Sequence, residues 1–351
     1  MKIRIITIHG IPNFGSVFQS YGLCRYLRDN GFPDTKIIDY TPDYYTNKSL
    51  VSTLGRVLNY KSYVTRTKKF RAFIEDNLSL TSQRFKTLEE LQKHNFDGDV
   101  YIAGGDQLWN VFYTCGNDDA YKLTYVNGKK ISYATSMGQR AFEDAQLREL
   151  GEKIKSFSAV SVREPSTVSL LEGVGINATW CVDPVFLLEP SHYDRFIKPV
   201  NEPDYMMVYL VTPSKLLEDC IEYLSKKYNL KVILCSGFSK KCTCDKFIKD
   251  LGPDEMLSYI KNAKIVLSSS FHATAFSIIF EKQFFTILPG EHTNERITDL
   301  LEARGLTERI VTDETKLEEA LSRAIDYDKI NDYNSDIERS KEYLQRALRD
   351  D

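Results

Sequence analysis

Nowhere in the 351 residues is there a run of about 18 apolar side chains, so no helix is expected to span a membrane. The first ten residues, MKIRIITIHG, lack both a long apolar centre and a small-residue cleavage site, and read as a strand rather than a signal peptide. Neither sign of charge is in excess. The 46 basic and 49 acidic residues leave a net charge of −3, without the basic footprint of a duplex-binding protein, so no nucleic-acid partner is expected. The seven cysteines (24, 115, 181, 220, 235, 242 and 244) are odd in number, and several lie inside apolar strand-like runs. They read as reduced thiols of a cytosolic protein rather than as a disulfide framework. Cys242 and Cys244 form a C-x-C pair without the C-x-x-C spacing of zinc sites, so no metal centre is expected there. A nucleotide loop is missing as well. Gly10 and Gly15 have Walker spacing, but Ser16 stands where lysine belongs, and the same turn is not G-x-G-x-x-G.

What remains is ordinary globular composition, 42% hydrophobic and 27% charged, in a chain long enough for two domains. Strand and helix patterns alternate almost throughout. Lys2–Ile8, Lys36–Tyr40, Val100–Ala103, Lys130–Tyr133, Ala159–Val162 and Thr179–Val182 read as strands of a first series. Val17, Tyr21, Cys24 and Leu27 fall at helical spacing, with Gly31 ending that helix. Thr87–Glu90 is a capping box, and Pro165 opens another helix. After Pro184, Met206–Val211, Lys231–Cys235, Lys264–Leu267 and Phe284–Leu288 form a second series, with helices between them. Short strands alternating with helices imply parallel sheets covered on both faces. The expected fold is therefore α/β, with two Rossmann-like domains. They span residues 1–188 and 204–330, joined through Glu189–Pro203, and a C-terminal helical segment, 331–351, packs back on the first. Residues 41–81 interrupt the alternation. Arg56–Arg71 holds six basic and no acidic residues, read either as a solvated helical insertion or as a contact for an anionic membrane surface.

In such sheets ligands bind beyond the carboxyl ends of the strands. After the first strand, the turn carrying Asn13 and Gly15 leads into the helix that bears Gln19. Its backbone amides suit an anion, although a plain tight turn explains it equally. Gly104 and Gly105 permit close backbone approach, and Asp106 behind them is a base, an orienting acceptor or a helix cap. Ser136 follows the Lys130–Tyr133 strand. Arg163 follows Ala159–Val162, its fork suited to phosphate or carboxylate, with a salt bridge to Glu164 or Asp183 as the plainer reading. Ser270 and His272 follow Lys264–Leu267 at a helix start, and Asn294 and Arg296 open the next helix. Topology directs these groups to strand tips, where they would favour an anionic small molecule.

The order of these segments resembles the polysaccharide pyruvyltransferase family. The carriers are Asn13–Leu23, Ala103–Asn110 (similar to G-S-D-Q-x-W-N), Tyr133–Gly138 (Y-A-x-S-x-G) and Ser161–Glu164 (S-V-R-E). Asp183-Pro184, Ser270–His272 (S-F-H) and Asn294–Ile297 (N-x-R-I) complete them. The resemblance implies a glycosyltransferase-B-like arrangement of the two domains. It also implies transfer of a pyruvyl group from phosphoenolpyruvate to two hydroxyls of a sugar or lipid-linked oligosaccharide, forming a cyclic ketal. Phosphoenolpyruvate is then the donor substrate, and no cofactor or metal is needed. His272 and Asp106 are the expected catalytic pair, as acid or phosphate ligand and as base or hydroxyl-orienting group. Arg163, Arg296, Asn13, Gly15, Gln19, Gly104, Gly105, Ser136, Ser270 and Asn294 are the expected substrate contacts. Some members carry S-R-L-H where this chain has Ser269–His272, so Ser270 replaces an arginine. The expected location is the cytoplasm, including the inner membrane face if residues 56–71 touch lipid. Two alternatives stand beside this reading: a nucleotide-sugar glycosyltransferase using Asp254, Glu255 or Glu291, and a non-catalytic glycan- or anion-binding relative.

Overall fold

The computed structural model of the protein describes residues 1–45, 60–138, 142–210, 214–236, 242–288, 294–321, 323–331 and 334–349. The chain forms two compact units. The first comprises residues 1–54, 71–188 and 334–351, and the second comprises 55–70 and 189–333.

The first unit is built on a parallel sheet ordered β3-β2-β1-β4-β5. Its strands are β1 (Ile3–Ile6), β2 (Thr35–Tyr40), β3 (Leu80–Phe85), β4 (Val100–Gly104) and β5 (Lys129–Tyr133). Single parallel bridges, Ile131 to Ala159 and Thr135 to Val162, continue it into β6 (Val160–Val162) and β7 (Ala178–Trp180). Ile3, Ile5 and Ile6 are all fully buried, because helices cover both faces. Asn13 caps the helix Phe14–Asp29, accepting from the Ser16 amide. The C-terminal helix Asn334–Arg349 lies on this unit. Its Ser340 hydroxyl accepts from the Val182 amide, and the Tyr343 hydroxyl donates to the Ser132 carbonyl.

The second unit repeats the scheme, with a parallel sheet ordered β10-β9-β8-β11-β12. These strands are β8 (Tyr205–Tyr209), β9 (Lys231–Cys235), β10 (Lys246–Ile248), β11 (Ile265–Ser268) and β12 (Gln283–Thr286). Residues after Leu188 do not form an open linker. Tyr193 is fully buried edge-to-face on Phe276, and the Lys198 amide donates to the Ser258 hydroxyl. In both sheets the strand order reverses beside the first strand, β1 against β4 and β8 against β11. Those are the places where a doubly wound sheet opens to a ligand.

The segment expected as an insertion resolves into a helix, Tyr60–Asn77, and the edge strand β3. Its basic run is not one open cationic face. Arg56 lies outside the described residues. Lys69 is paired with Glu255, Arg71 with Glu75, and the Arg66 guanidinium sits over the Phe70 ring. Among the described residues no helix is long and apolar enough to cross a membrane.

Candidate active site

At the carboxyl edge of the first sheet, several of the sequence motifs lock together in a buried polar knot. The Ser16 hydroxyl, one turn into the first helix, donates to Asp106 Oδ2 at 2.6 Å, while Asp106 Oδ1 accepts from the Gln107 amide at 2.7 Å. The Asp106 carbonyl accepts from the Ser136 amide. The Ser136 hydroxyl donates to Glu164 at 2.6 Å, and the Met137 amide donates to the other oxygen of that carboxylate. Arg163 then closes the knot. Its Nη1 donates to Asp183 Oδ2 at 2.6 Å and to the Gly105 carbonyl at 3.3 Å, and its Nε lies 3.3 Å from Glu164. Burial alone would lower the pKa of Arg163, but the carboxylates of Asp183, Glu164 and Asp106 override it and hold the guanidinium firmly charged.

Three expectations change in this light. Arg163 does not present its fork to solvent; it is 5% exposed and holds strand tips together. Gln19 is fully buried, and its amide nitrogen, which carries two N–H donors, lies within hydrogen-bond distance of the Thr7 and Ser20 hydroxyls and the Ile8 and Ser16 carbonyls, so it braces the turn from within. Gly104 and Gly105 are glycines because the protein itself fills the space beside them. A Cβ on Gly105 would meet Gln19 Oε1 at 1.8 Å, and its φ of +85° is left-handed besides; one on Gly104 would meet Leu23 Cδ2 at 2.8 Å. Ser136 is likewise fully buried, and Gly15 is buried in the first helical turn. Of this group Asn13 is exposed, and Asp106 is 7% exposed. Sequence reasoning passed over Ser16, Glu164 and Asp183 as site residues, although all three lie inside the motifs quoted for the resemblance.

In the second unit an imidazole and a guanidinium come together around one aromatic ring. Ser270 caps the helix Phe271–Ile279, its amide donating to Ser268 Oγ at 2.9 Å. Phe271 is buried and carries the half-buried imidazole of His272 edge-on, with ring centroids 5.0 Å apart. The Arg296 guanidinium lies 5.9 Å over the same Phe271 ring. One phenyl ring thus joins two groups that lie 24 positions apart in the sequence (296 − 272). Asn294 precedes the helix Glu295–Ala303 and does not cap it with its side chain. The acids considered for a nucleotide are engaged elsewhere: Asp254 with Lys198, and Glu255 with Lys69 and the Gly252 amide. Glu291 lies outside the described residues. No group of three or more His, Cys, Asp or Glu side chains suited to a metal ion occurs among the described residues.

The family model described as polysaccharide pyruvyl transferase matches residues 13–290. The chain belongs to this family. Family membership gives it, in general terms, pyruvyl transfer in polysaccharide biosynthesis. Several solved structures share the fold of this pyruvyl transferase family member. The UDP-GlcNAc 2-epimerase of Methanocaldococcus jannaschii is 15% identical over 93% of each chain, with a TM-score of 0.56. A putative UDP-N-acetylglucosamine 2-epimerase of Listeria monocytogenes is 10% identical over 100% of this chain and 97% of that one, with a TM-score of 0.59. The Neisseria meningitidis UDP-GlcNAc 2-epimerase is 13% identical over 99% and 100%, with a TM-score of 0.56. At these identities the likeness shows the fold alone, α/β with two Rossmann-like domains of the glycosyltransferase-B-like class. No curated protein matches the chain in sequence.

Proposed function

We propose that this protein transfers the pyruvyl group of phosphoenolpyruvate to two hydroxyls of a sugar, closing a pyruvate ketal on a surface polysaccharide or its lipid-linked precursor. The observation that carries the reading is the family match over residues 13–290.

Phosphoenolpyruvate brings a phosphate and a carboxylate, and both need cations. The second unit's Arg296 and His272, together with the amides at the start of the Phe271 helix, are suited to them. In the first unit, carboxylates outnumber the guanidinium around Arg163, a setting that repels phosphate and favours hydroxyl donors. Asp106 there takes the sugar hydroxyl.

Protonation of the donor's methylene carbon, by His272, makes a methyl group and leaves positive charge on the adjacent carbon. A sugar hydroxyl attacks that carbon and loses its proton to a base. Phosphate then departs with the C–O bonding pair, and a second hydroxyl closes the ring, releasing its proton. Positioned acid and base groups contribute about 10²–10⁴-fold each to such steps.

The test is incubation of the protein with phosphoenolpyruvate and candidate glycans. The expected outcome is phosphate release matched by an acceptor mass gain of pyruvic acid less water. Turnover of a nucleotide sugar, with none of phosphoenolpyruvate, would overturn the reading.

A further inference from the structure

From Asp106 to Tyr121, beyond the carboxyl end of β4, the chain carries three aspartates (Asp106, Asp118 and Asp119) and no basic residue. An anion finds no counter-charge along that stretch. The same stretch displays aromatic rings. Phe112 is 54% exposed and Tyr113 is 46% exposed, and among the described residues they are the only two large exposed apolar side chains adjacent in sequence. Apolar rings held out together at the ligand edge of a sheet mark a contact surface.

The loop that carries them is tied down. The Asn110 amide donates to the Gln107 carbonyl, and the Tyr113 amide donates to the Asn110 carbonyl, which makes two consecutive turns. The ends of a turn lie less than about 7 Å apart, so Tyr113 stays within about 14 Å of Gln107. The Cys115 thiol then returns to the Gln107 carbonyl at 3.4 Å, and a Cβ on Gly116 would lie 2.0 Å from the Asn110 carbonyl oxygen. Trp109 is fully buried and donates from Nε1 to the Tyr121 carbonyl, and Lys122 Nζ donates to the Gly116 carbonyl at 2.6 Å. These tethers fix the loop before a ligand arrives, which lowers the ordering cost of binding.

Gln107 joins this loop to the buried knot, its backbone amide donating to Asp106 Oδ1. Its side chain is oriented by a short chain of hydrogen bonds. The Phe112 amide donates to Asn110 Oδ1 at 3.1 Å, so Asn110 Nδ2 faces Gln107, and the atom it meets at 2.8 Å is the Gln107 Oε1 acceptor. Gly138 makes room for the pair, since a Cβ there would lie 2.1 Å from Asn110 Nδ2 and 2.7 Å from Gln107 Oε1. Gln107 Nε2 is left with two N–H donors that no described residue accepts. Gln107 is half-buried, which keeps those donors accessible beside Asp106.

A pyranose ring has an apolar C–H face and a rim of hydroxyls. Aromatic rings suit the face, and a fixed amide donor suits the rim. We propose that Phe112, Tyr113 and the Gln107 side-chain amide form a subsite for the acceptor glycan, one that takes neutral pyranose rings beside Asp106. The proposal rests on the acceptor half of the reading above, and the experiment leaves the donor out so that the two fail separately.

Isothermal titration of the full chain with cellotetraose, maltotetraose and chitotetraose, in the absence of phosphoenolpyruvate, compares the native protein with Phe112→Ser, Tyr113→Ser, Gln107→Glu and the exposed-site control Tyr228→Ser. The native protein is expected to bind at least one of these neutral pyranose chains. Loss of either ring should weaken that binding about tenfold, the worth of one covered sugar face. Gln107→Glu keeps an oxygen for Asn110 and removes the donors, for a loss of about three- to tenfold. Tyr228→Ser should change nothing. Equal affinity in the native, Phe112→Ser and Tyr113→Ser proteins overturns the inference and leaves pyruvyl transfer standing, as does a native protein that binds none of the three chains yet turns over phosphoenolpyruvate. Ring-dependent glycan binding without phosphoenolpyruvate turnover keeps the subsite and overturns the donor reading. Sedimentation velocity on the same samples tests the other occupant: self-association that Phe112→Ser abolishes while glycan affinity is unchanged assigns the rings to a second copy of this chain and overturns the inference. Should Gln107→Glu not fold, the two exposed-ring variants decide.

Discussion

Replacing Arg163 with methionine is expected to unfold the first unit more readily without acting first on substrate. The methionine keeps most of the volume and removes the charge. Asp183 and Glu164, both essentially buried, then face each other and Asp106 with their counter-ion gone. Removing one partner of a buried ion pair costs about 3–5 kcal/mol, because the other charge stays desolvated. For a unit of this size each kcal/mol moves the melting temperature by roughly 2–4 °C, so a drop of about 6–20 °C is expected. Asp183→Asn alone should also destabilise, since it strands the guanidinium. Neither charge is stranded by the other in the double variant, so its cost should fall short of the two single costs added together. Thermal and urea melts of the four proteins, followed by circular dichroism, measure the cycle, and phosphoenolpyruvate titration runs in parallel. An Arg163→Met protein that melts within about 2 °C of the native one while losing donor affinity would refute the reasoning and return Arg163 to the ligand.

Gly105→Ala combines a left-handed φ with a Cβ that would collide with Gln19 Oε1, and should cost about 2–5 kcal/mol, read as a lowered urea midpoint. Asp39 tests the edge of the first sheet. Burial would raise its pKa, but hydrogen bonding and charge from His9 and Arg84 prevail and hold the carboxyl below its ordinary range. Its stabilisation is thus complete above the unfolded carboxylate pKa, about 3.9, and fades as pH falls through the lowered folded value. Asp39→Asn should flatten that part of the acid-unfolding curve, and an unchanged curve would show that the pair is not coupled to folding.

The strands that sequence periodicity finds are those with apolar side chains on both faces, such as β1, β4, β8 and β11. The ones it misses are edges. β3 reads LTSQRF, with three exposed residues in its middle, and β10 is three residues long. Their strand character comes from the neighbours β2 and β9 that pair with them, not from a local pattern. The capping box at Thr87 forms only in half. The Thr87 hydroxyl accepts from the Glu90 amide, but Glu90 reaches the Lys86 amide rather than that of Thr87.

Alternation of short apolar strands with amphipathic helices was sufficient for two parallel, doubly wound sheets, since that burial pattern has few other solutions. Motif order was sufficient for the family. What each motif residue does was not written locally. Arg163, Gln19 and Ser136 look like ligand groups in the sequence, yet three-dimensional packing turns them inward against acids and carbonyls. A side chain's charge and hydrogen-bonding capacity are properties of the residue, but which partner satisfies them depends on chain segments far away in the sequence that folding brings into reach.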